Sequence, residues 1–371
     1  MSKETISQTP KQLGFVMPAE CEKHSAIWLA WPYDDTTFPG RIQSAEAVLV
    51  KIIKLIYESE KVELLVLDDS MKNKITLLLK EAQVNLSYIN FNFVAFQDVW
   101  VRDYGPFFIV NRQEKKLGWV KWGYNAYGKA DNPYFTDLLK DNKVFDILNP
   151  DGQKFKADMV LEGGAIDVNG LGSLLTTKQT LLNPNRNPNL NKEQIEKYLA
   201  DYLGAHNVVW LEKGLTNDHT DGHIDDIAKF ITPNKILVAY EDDPADKNYE
   251  ILKNNYEILK KAVDQDGKPF EVVKLPMPHM RYDIGHTVHS EAAGENLAKN
   301  GQAEKAAASY LNFYIGNSVV LVSTFKDPND ARALQIIQDC FPDRKVVGID
   351  CTDIIYGGGS IHCMTQQQPA V

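Results

Sequence analysis

The sequence predicts a single α/β domain assembled from several similar units. The chain has 371 residues, of which 44% are hydrophobic, enough to bury a large core. No stretch rich in glycine, serine or proline divides residues 14–371, so we predict one domain there, preceded by a flexible tail at residues 1–13. The order strand, polar loop, helix, strand recurs in several cycles, which is typical of a closed or multi-unit α/β architecture.

The spacing of apolar residues predicts each element. Short apolar runs indicate strands, and spacings of three and four residues indicate helices. The first strand ends at Pro32, which lacks the N–H that a ladder needs, and Ser44 is a candidate N-cap for the first helix. Strands are predicted at residues 26–32, 62–67, 91–96, 159–161, 174–177, 208–211, 235–240, 272–275, 317–324 and 345–349. Helices are predicted at residues 44–57, 71–82, 192–203, 248–263 and 327–340.

Composition and charge narrow the classes of function. The formal net charge of −10 argues against nucleic-acid binding and is compatible with a cationic substrate. No apolar run is long enough to span a bilayer, and the polar N-terminal stretch does not resemble a signal peptide. The four cysteines are too scattered for a disulfide framework or a metal site, so we expect reduced thiols in the cytoplasm. The sequence leaves open whether the protein forms a homo-oligomer.

The C-terminal stretch carries an unusual combination of glycines and a thiol. Three successive glycines, residues 357–359, allow close approach to a ligand, and Cys363 follows them. This arrangement predicts that the tail folds back into a site, although a buried cysteine is more commonly inert.

Three further polar segments follow predicted strands, where α/β folds commonly build sites. These segments are Asp98 with Arg102-Asp103, Glu162-Gly163-Gly164, and His223-Ile224-Asp225. A cysteine with a histidine can act as a nucleophile with its acid and base, but added carboxylates raise a thiol pKa and repel a developing oxyanion. They suit a cationic substrate, and two carboxylates can hold a planar guanidinium through paired hydrogen bonds. The set therefore indicates guanidine chemistry.

Several of these segments resemble one family. The sequence is similar to the agmatine deiminase and bacterial-type peptidylarginine deiminase family, within the pentein superfamily of guanidine-modifying enzymes. The most specific segment is Gly-Gly-Gly-Ser-Ile-His-Cys-Met-Thr-Gln-Gln-Gln-Pro at residues 357–369. The other matching segments occur in order at residues 17–20, 28–32, 98–106, 161–164, 183–187, 220–225, 275–278 and 309–314.

The resemblance implies a fold and a mechanism. The fold would be α+β, a five-bladed α/β propeller with pseudo-fivefold symmetry, and hydrolysis would need no metal or other cofactor. Cys363 would be the nucleophile, and His223 would protonate the leaving ammonia and then activate water. Asp98 and Asp225 would grip the guanidinium.

The resemblance also extends to the substrate. Glu162 would assist Asp98 and Asp225, and further substrate contacts are expected from Trp31, Tyr127 and Gly358. A thiouronium on the cysteine would be hydrolysed to a ureido product, which for agmatine is N-carbamoylputrescine.

Three departures from the family pattern concern the substrate rather than the chemistry. Residues 33–40 replace the usual Arg and Asp-Asn-Trp after Trp31-Pro32. Residues 125–129 have Asn-Ala-Tyr-Gly-Lys in place of Asn-Ala-Trp-Gly-Gly. The connection at residues 279–308 is longer than usual, and we consider it either a surface excursion or a lid over the substrate tail.

Other interpretations stay open. Deimination of free or peptidyl arginine would need a cation for the substrate carboxylate, and Lys121, Lys129 or Arg281 could supply it. A non-haem metal enzyme would use His223 and Asp225 with His279, His286 or His289, but it would leave Cys363 without a role. An inactive guanidine-binding protein is a further alternative.

Overall fold

The architecture is a set of five small mixed sheets, seen in a computed structural model that describes residues 8–279 and 306–371. The described strands are β1 His24–Ala30, β2 Lys61–Val66, β3 Ile89–Phe93, β4 Phe107–Asn111, β5 Lys116–Gly123, β6 Gln153–Val160, β7 Ile166–Val168, β8 Ser173–Thr177, β9 Asn207–Leu211, β10 Ala228–Thr232, β11 Lys235–Tyr240, β12 Glu271–Pro276, β13 Tyr314–Ile315, β14 Val319–Thr324, β15 Lys345–Asp350 and β16 Gln366–Pro369.

Helices connect and cover these sheets. The described α-helices are α1 Ile42–Ile56, α2 Asp69–Glu81, α3 Val101–Tyr104, α4 Pro133–Leu138, α5 Val144–Leu148, α6 Lys178–Leu181, α7 Lys192–Leu203, α8 Tyr249–Lys261 and α9 Asp330–Cys340. Helix α1 shows why they form: Val48, Leu49, Ile52 and Ile53 recur at helical spacing and are all buried, so the helix is stabilised by packing its apolar face.

All five sheets share one strand topology. Their orders are β16-β1-β2-β3, β4-β5-β6, β7-β8-β9, β10-β11-β12 and β13-β14-β15. In each sheet the first two strands pair antiparallel and the following ones pair parallel. The predicted repetition of α/β units is therefore observed in the chain as five mixed sheets.

Most long elements match their predictions closely, but strand β5 and the short helices α3, α4, α5 and α6 were not predicted. Other differences concern where elements begin and end. Helix α1 begins at Ile42, so Ser44 as its N-cap is wrong; Arg41 takes that position without a side-chain cap. Helix α2 begins earlier than predicted because the side chain of Asp68 accepts a hydrogen bond from the Met71 N–H. The predicted strand at residues 159–161 is the end of the longer β6.

Two further predictions concern the N-terminal tail at residues 1–13 and the connection at residues 279–308. The last residues of the predicted tail, Lys11–Leu13, form a 3-10 turn, and Asn111 donates to the Leu13 carbonyl over 2.8 Å. The predicted lid falls almost entirely at residues 280–305, outside the described residues. In the described part of the chain, no helix combines the length and the apolar character needed to cross a bilayer.

A buried polar junction joins the first sheet to the last. The Asn317 amide exchanges two hydrogen bonds with the His24 backbone and donates a third to the Ser59 carbonyl, each of 2.9 Å. Glu60 accepts from the Asn317 N–H at 2.7 Å and from the Tyr314 hydroxyl at 2.5 Å. Since the β16 strand pairs with β1 in the same sheet, this junction supports the segment that carries Cys363.

We therefore expect Asn317→Ala to destabilise the fold. It would leave three backbone groups without their partner, which costs about 2–4 kcal/mol of unfolding free energy. Urea unfolding measures the change, with Asn73→Ala on the exposed face of α2 as the matched control. A loss no larger than that of the control would mean that the junction contributes nothing to stability.

Candidate active site

Polar residues lie on each of the five connections between successive sheets. Asp98 lies between β3 and β4, Glu162 between β6 and β7, and the pair His223 and Asp225 between β9 and β10. Asn312 lies between β12 and β13, and Cys363 between β15 and β16. The same place in each unit thus carries the polar residues, whose contacts are described below.

The glycine-rich tail folds back into the molecule and packs so closely there that bulkier residues would not fit. A Cβ at Gly357 would lie 2.5 Å from the Phe38 ring, and one at Gly359 would lie 2.9 Å from the Trp100 ring and 3.1 Å from Cys363 Sγ. Gly358 has a positive φ of 90°, a conformation that favours glycine. The tail therefore packs Gly359 against both Cys363 and the ring of Trp100, which follows Asp98 in the chain by two residues.

The Asn312 amide fixes the thiol from one side. Its Nδ2 lies 3.1 Å from Cys363 Sγ and 3.2 Å from Asp225 Oδ2. Its Oδ1 accepts hydrogen bonds of 2.9 Å from the His362 N–H and from the Ser360 hydroxyl. Because these donors determine which end of the amide is oxygen, the N–H group of Asn312 faces the thiol.

The surroundings of the thiol are acidic. Cys363 Sγ lies 3.7 Å from Asp225 Oδ2, and the side chain is buried. Burial, followed by the charges of Asp225, Asp226 and Asp103, raises the pKa of the Cys363 thiol well above its ordinary value. The thiol in the free protein is therefore protonated at neutral pH.

Asp225 is held ionised with one oxygen unoccupied. Its Oδ2 accepts from His362 Nδ1 at 2.8 Å, whereas its buried Oδ1 has no hydrogen-bond partner among the described residues. Burial alone would raise the pKa of Asp225, but the hydrogen bond and charge of His362 outweigh it and lower the pKa. Oδ1 is thus an available acceptor for a cationic ligand.

The imidazole of His223 lies beside Asp103 and Gly164. The distance from His223 Nδ1 to Asp103 Oδ1 is 3.7 Å, and neither ring nitrogen has a hydrogen-bond partner within the described chain. Asp103 accepts from the Gly164 N–H at 3.0 Å and from the Tyr127 hydroxyl at 2.9 Å, and burial raises its pKa to about 6. Asp103 is therefore placed to orient His223.

Asp98 accepts hydrogen bonds from a separate set of donors. Its Oδ2 accepts from the Tyr134 hydroxyl at 2.7 Å and the Thr37 hydroxyl at 3.0 Å, and its Oδ1 accepts from the Val99 N–H at 2.7 Å. Burial raises the pKa of Asp98 to about 6, although these hydrogen bonds oppose the increase. A nearby cation would favour its ionised form.

Glu162 forms a buried ion pair with Arg186. The Arg186 Nε donates to Glu162 Oε1 at 2.8 Å, and its other nitrogens bind Asp221 and the Thr220 carbonyl. The second oxygen of Glu162 is buried and has no hydrogen-bond partner in the described part of the chain. Glu162 therefore keeps one acceptor available for a ligand.

The remaining predicted contacts occupy different surroundings. Tyr127 has a positive φ of 58° and packs its ring 6.0 Å from that of His223, so it borders the site. Trp31 is fully buried in the core and donates from Nε1 to Glu46 Oε1 over 2.9 Å. The substrate contacts of Trp31, Tyr127 and Gly358 stay predictions.

No role was predicted for several residues whose side chains form hydrogen bonds in and around the site. Asn312, His362 and Glu20 lie within the segments that carry the family resemblance, but their spacing alone does not reveal what they touch. Tyr134 lies at the start of α4, and the preceding Asn132, whose side chain caps that helix, was an available signal.

The metal-binding alternative uses His223 and Asp225 with His279, His286 or His289. His279 pairs with Glu241 across 3.3 Å, and His286 and His289 lie outside the described residues. Within residues 8–279 and 306–371, no three histidine, cysteine, aspartate or glutamate side chains are grouped as metal ligands.

Comparisons with known proteins agree on one family. The model of the Porphyromonas-type peptidyl-arginine deiminase family matches residues 16–369. The agmatine deiminase of Ectopseudomonas mendocina is 36% identical, with 99% of this chain and 98% of that protein covered. The structure of the Enterococcus faecalis agmatine deiminase superposes with a TM-score of 0.87 at 33% identity and full coverage of both chains. That of the C. jejuni agmatine deiminase gives 0.77 at 27% identity, covering 95% of this chain and 96% of that one.

The chain therefore belongs to the Porphyromonas-type peptidyl-arginine deiminase family, and the resemblance noted in the sequence is confirmed. It is an enzyme of the hydrolase class that acts on C–N bonds of linear amidines.

Gly164 gives a direct test of the site geometry. A Cβ there would lie 2.5 Å from His223 Nδ1, 3.0 Å from Asp103 Oδ1 and 3.1 Å from Asp225 Oδ2. We expect Gly164→Ala to displace the imidazole and to lower kcat by about 100-fold, since small misplacements of catalytic groups are costly. Steady-state ammonia release measures the loss, and circular dichroism checks that the fold is retained. Wild-type kcat in a folded variant would contradict this arrangement.

Proposed function

We propose that this enzyme hydrolyses agmatine to N-carbamoylputrescine and ammonia through a covalent intermediate on Cys363. The observation that carries the proposal is the buried thiol beside Asp225, among carboxylates that retain free oxygens. Such a site repels an anionic substrate and attracts a guanidinium, whose positive charge is permanent and whose donors form a planar fork. The relatives named as agmatine deiminases support the choice of substrate.

The guanidinium would be bound between carboxylates. Asp225 Oδ1 and Glu162 Oε2 are buried acceptors with no hydrogen-bond partner in the described structure, and Asp98 lies on the neighbouring connection. Hydrogen bonds to opposite edges of the planar group would orient its central carbon toward Cys363 Sγ. Charge pairing would also lower the pKa of Asp98 from its raised value of about 6 and so favour the ionised form.

Substrate binding would activate the nucleophile. The carboxylates that raise the pKa of Cys363 lose their effect when a guanidinium neutralises them, so the thiol becomes easier to deprotonate when the substrate is present. The thiol proton would pass to His223, whose ring nitrogens have no hydrogen-bond partner among the described residues, and the thiolate would form an S–C bond to the guanidinium carbon. His223 would donate a proton as the C–N bond breaks, releasing ammonia and leaving an S-alkylthiouronium on Cys363.

Water would complete the reaction. His223, now neutral, would take a proton from water as the oxygen attacks the same carbon. The C–S bond would then break, and the sulfur would leave as a thiolate that is reprotonated. The product would carry a urea group in place of the guanidine. Asp103 would hold the imidazole in position throughout both steps.

The lysines that could bind a substrate carboxylate already have partners, which supports a substrate without a carboxylate. Lys121 is buried and donates to Asn142 Oδ1 at 2.8 Å. Lys129 donates to the His219 carbonyl and lies 3.5 Å from Asp221 Oδ1. Arg281 lies outside the described residues. Since the two described lysines are already engaged, free or peptidyl arginine is the second candidate.

The wider arrangement is also part of the proposal. We infer that the five sheets form the blades of a propeller with pseudo-fivefold symmetry, because they share one topology and each inter-sheet connection contributes to the site. The four cysteines are free thiols, which fits the predicted cytoplasmic location.

Products from a substrate panel would test the function. The panel contains agmatine, arginine, short peptides ending in arginine and other alkylguanidines, with mass spectrometry of the products and ammonia measured in parallel. We expect agmatine to give the highest kcat/KM and EDTA to leave the rate unchanged. Preference for arginine would shift the assignment to the second candidate, and inhibition by EDTA would support metal chemistry.

The nucleophile is tested by Cys363→Ser. This change should abolish turnover and leave the fold intact, because a serine hydroxyl is a far weaker nucleophile at neutral pH. Cys340→Ser is the control, since Cys340 lies on helix α9 and has no part in the mechanism. Near wild-type turnover by the Cys363 variant would refute covalent catalysis at this residue.

The carboxylates are tested by Asp98→Asn and Asp225→Asn. Either change preserves size and removes charge-assisted hydrogen bonds, so we expect a loss of at least ~2 kcal/mol in transition-state binding, seen in kcat/KM. Asp137→Asn, an exposed aspartate paired with Lys140, serves as the control. Normal kinetics in both site variants would show that the guanidinium binds elsewhere.

A further inference from the structure

His362 directly precedes the nucleophile, yet its side chain has no part in the reaction steps above. Its Nδ1 lies 2.8 Å from Asp225 Oδ2 and its Nε2 lies 2.9 Å from Glu20 Oε2. The three side chains are buried, with residue exposures of 3% for His362, 2% for Asp225 and 5% for Glu20. The imidazole is thus enclosed between two carboxylates.

The number of donors fixes the charge of this imidazole. A neutral imidazole has one N–H group and can satisfy only one acceptor, whereas an imidazolium has two. Burial would raise the pKa of Glu20, but the charges of Lys229 and His362 keep it well below its ordinary value. Since the pKa of Asp225 is also lowered, both partners are ionised. Each ring nitrogen of His362 faces a carboxylate oxygen, an arrangement in which only an imidazolium donates both hydrogen bonds.

The groups around His362 form an alternating series of charges. Lys229 Nζ lies 3.0 Å from Glu20 Oε2 and donates to the Phe313 carbonyl at 2.9 Å. On the other side, Arg102 Nε donates to the His362 carbonyl at 3.4 Å. Cations and carboxylates thus alternate in the order Lys229, Glu20, His362, Asp225.

We propose that His362, supported by Glu20, is a positioning residue that keeps Asp225 ionised and turns its free Oδ1 toward the guanidinium. His362 occupies Oδ2, so the second oxygen is the one left for the ligand. The inference rests on the proposed guanidine chemistry and adds a role for two residues that lie behind the site. A residue that only filled space would not need two carboxylate partners.

A pair of matched electrophiles tests the proposal without a substrate. The probes are 2-chloroacetamidine, which is cationic, and 2-chloroacetamide, which is neutral and of nearly the same shape. Both alkylate Cys363, and mass spectrometry follows the rates from about pH 6 to about pH 9. The ratio of the two rates reports the negative charge beside the thiol. Dividing one rate by the other removes general changes in thiol reactivity.

The variant His362→Gln should lower this ratio about twofold near pH 6 and further at lower pH, because a buried carboxyl without its cationic partner resembles Asp98 and Asp103, whose pKa values burial raises to about 6. Without its cationic neighbour, the pKa of Asp225 rises, so the carboxyl is protonated at low pH and attracts the cationic probe less. The preference should return as the pH rises through the new pKa. A ratio equal to that of the wild type at every pH in the folded variant would overturn the proposal.

Glu20→Gln supplies the second variant. It leaves an acceptor for His362 but removes the charge that favours the second proton, so a smaller loss of preference is expected. In the His362→Gln background, Glu20→Gln should cause no further loss, because its effect passes through His362. If His362→Gln fails to fold, an unchanged preference in Glu20→Gln would overturn the proposal, and a loss that returns at high pH would support it.

His24→Gln is the matched control, because His24 and Glu60 form a second buried pair, 3.3 Å apart, at the junction of the first and last sheets. It should reduce stability without changing the preference for the cationic probe. Failure of the wild type to hydrolyse any guanidine would refute the proposed function. The alkylation ratio would still decide the role of His362, so the two failures are distinguishable.

Discussion

The structure depends on keeping several carboxylates ionisable in a buried space beside a thiol. Burying unpaired charge is costly, and Asp98 and Asp103 show this cost directly, since burial raises the pKa of each to about 6. The pKa of Asp225 is lowered instead, because His362 donates a hydrogen bond to this carboxylate. The buried carboxyls are therefore of two kinds: the protein lowers the pKa of Asp225, whereas burial raises the pKa of Asp98 and Asp103 and a cationic ligand would lower it again.

The fold makes this concentration of charge feasible by distributing its sources. The polar residues come from five inter-sheet connections rather than from the strands, so the apolar core is not interrupted along any one strand. Helix α1 and the strands beside it remain almost entirely apolar inside. Polar connections that converge from separate units also allow each carboxylate to have its own hydrogen-bond donors, as Thr37 and Tyr134 provide for Asp98.

Much of this arrangement could be predicted from the sequence, although β5 was missed despite its apolar and buried side chains, and most of the other missed strands have a common cause. Long helices and parallel strands carry strong apolar periodicity, and α7 was predicted at its observed bounds. The first, antiparallel strand of each sheet was missed; these strands are β4, β7, β10, β13 and β16. Several are very short, such as β13 with two residues, and β16 is built of Gln366, Gln367, Gln368 and Pro369, with no apolar pattern to detect.

The site residues divide in the same way. Cys363, His223, Asp225 and Asp98 were identified because a thiol, an imidazole and carboxylates suggest chemistry, and the family resemblance named their roles. Residues such as Asn312, Glu20 and His362 act through contacts between segments far apart in the chain. The hydrogen bond between His362 and Glu20 spans 342 positions, a relationship that local spacing cannot reveal.

The pairing of β16 with β1 has a consequence for folding kinetics. Trp28 donates to Gln368 across a sequence separation of 340 residues, and contacts of such high order form slowly because a very long loop must close first. During vectorial synthesis, the connections bearing Asp98, Glu162 and Asp225 emerge before the segment that carries the thiol. The contacts of Asp225 with His362 and Cys363 can therefore form only after that segment has emerged.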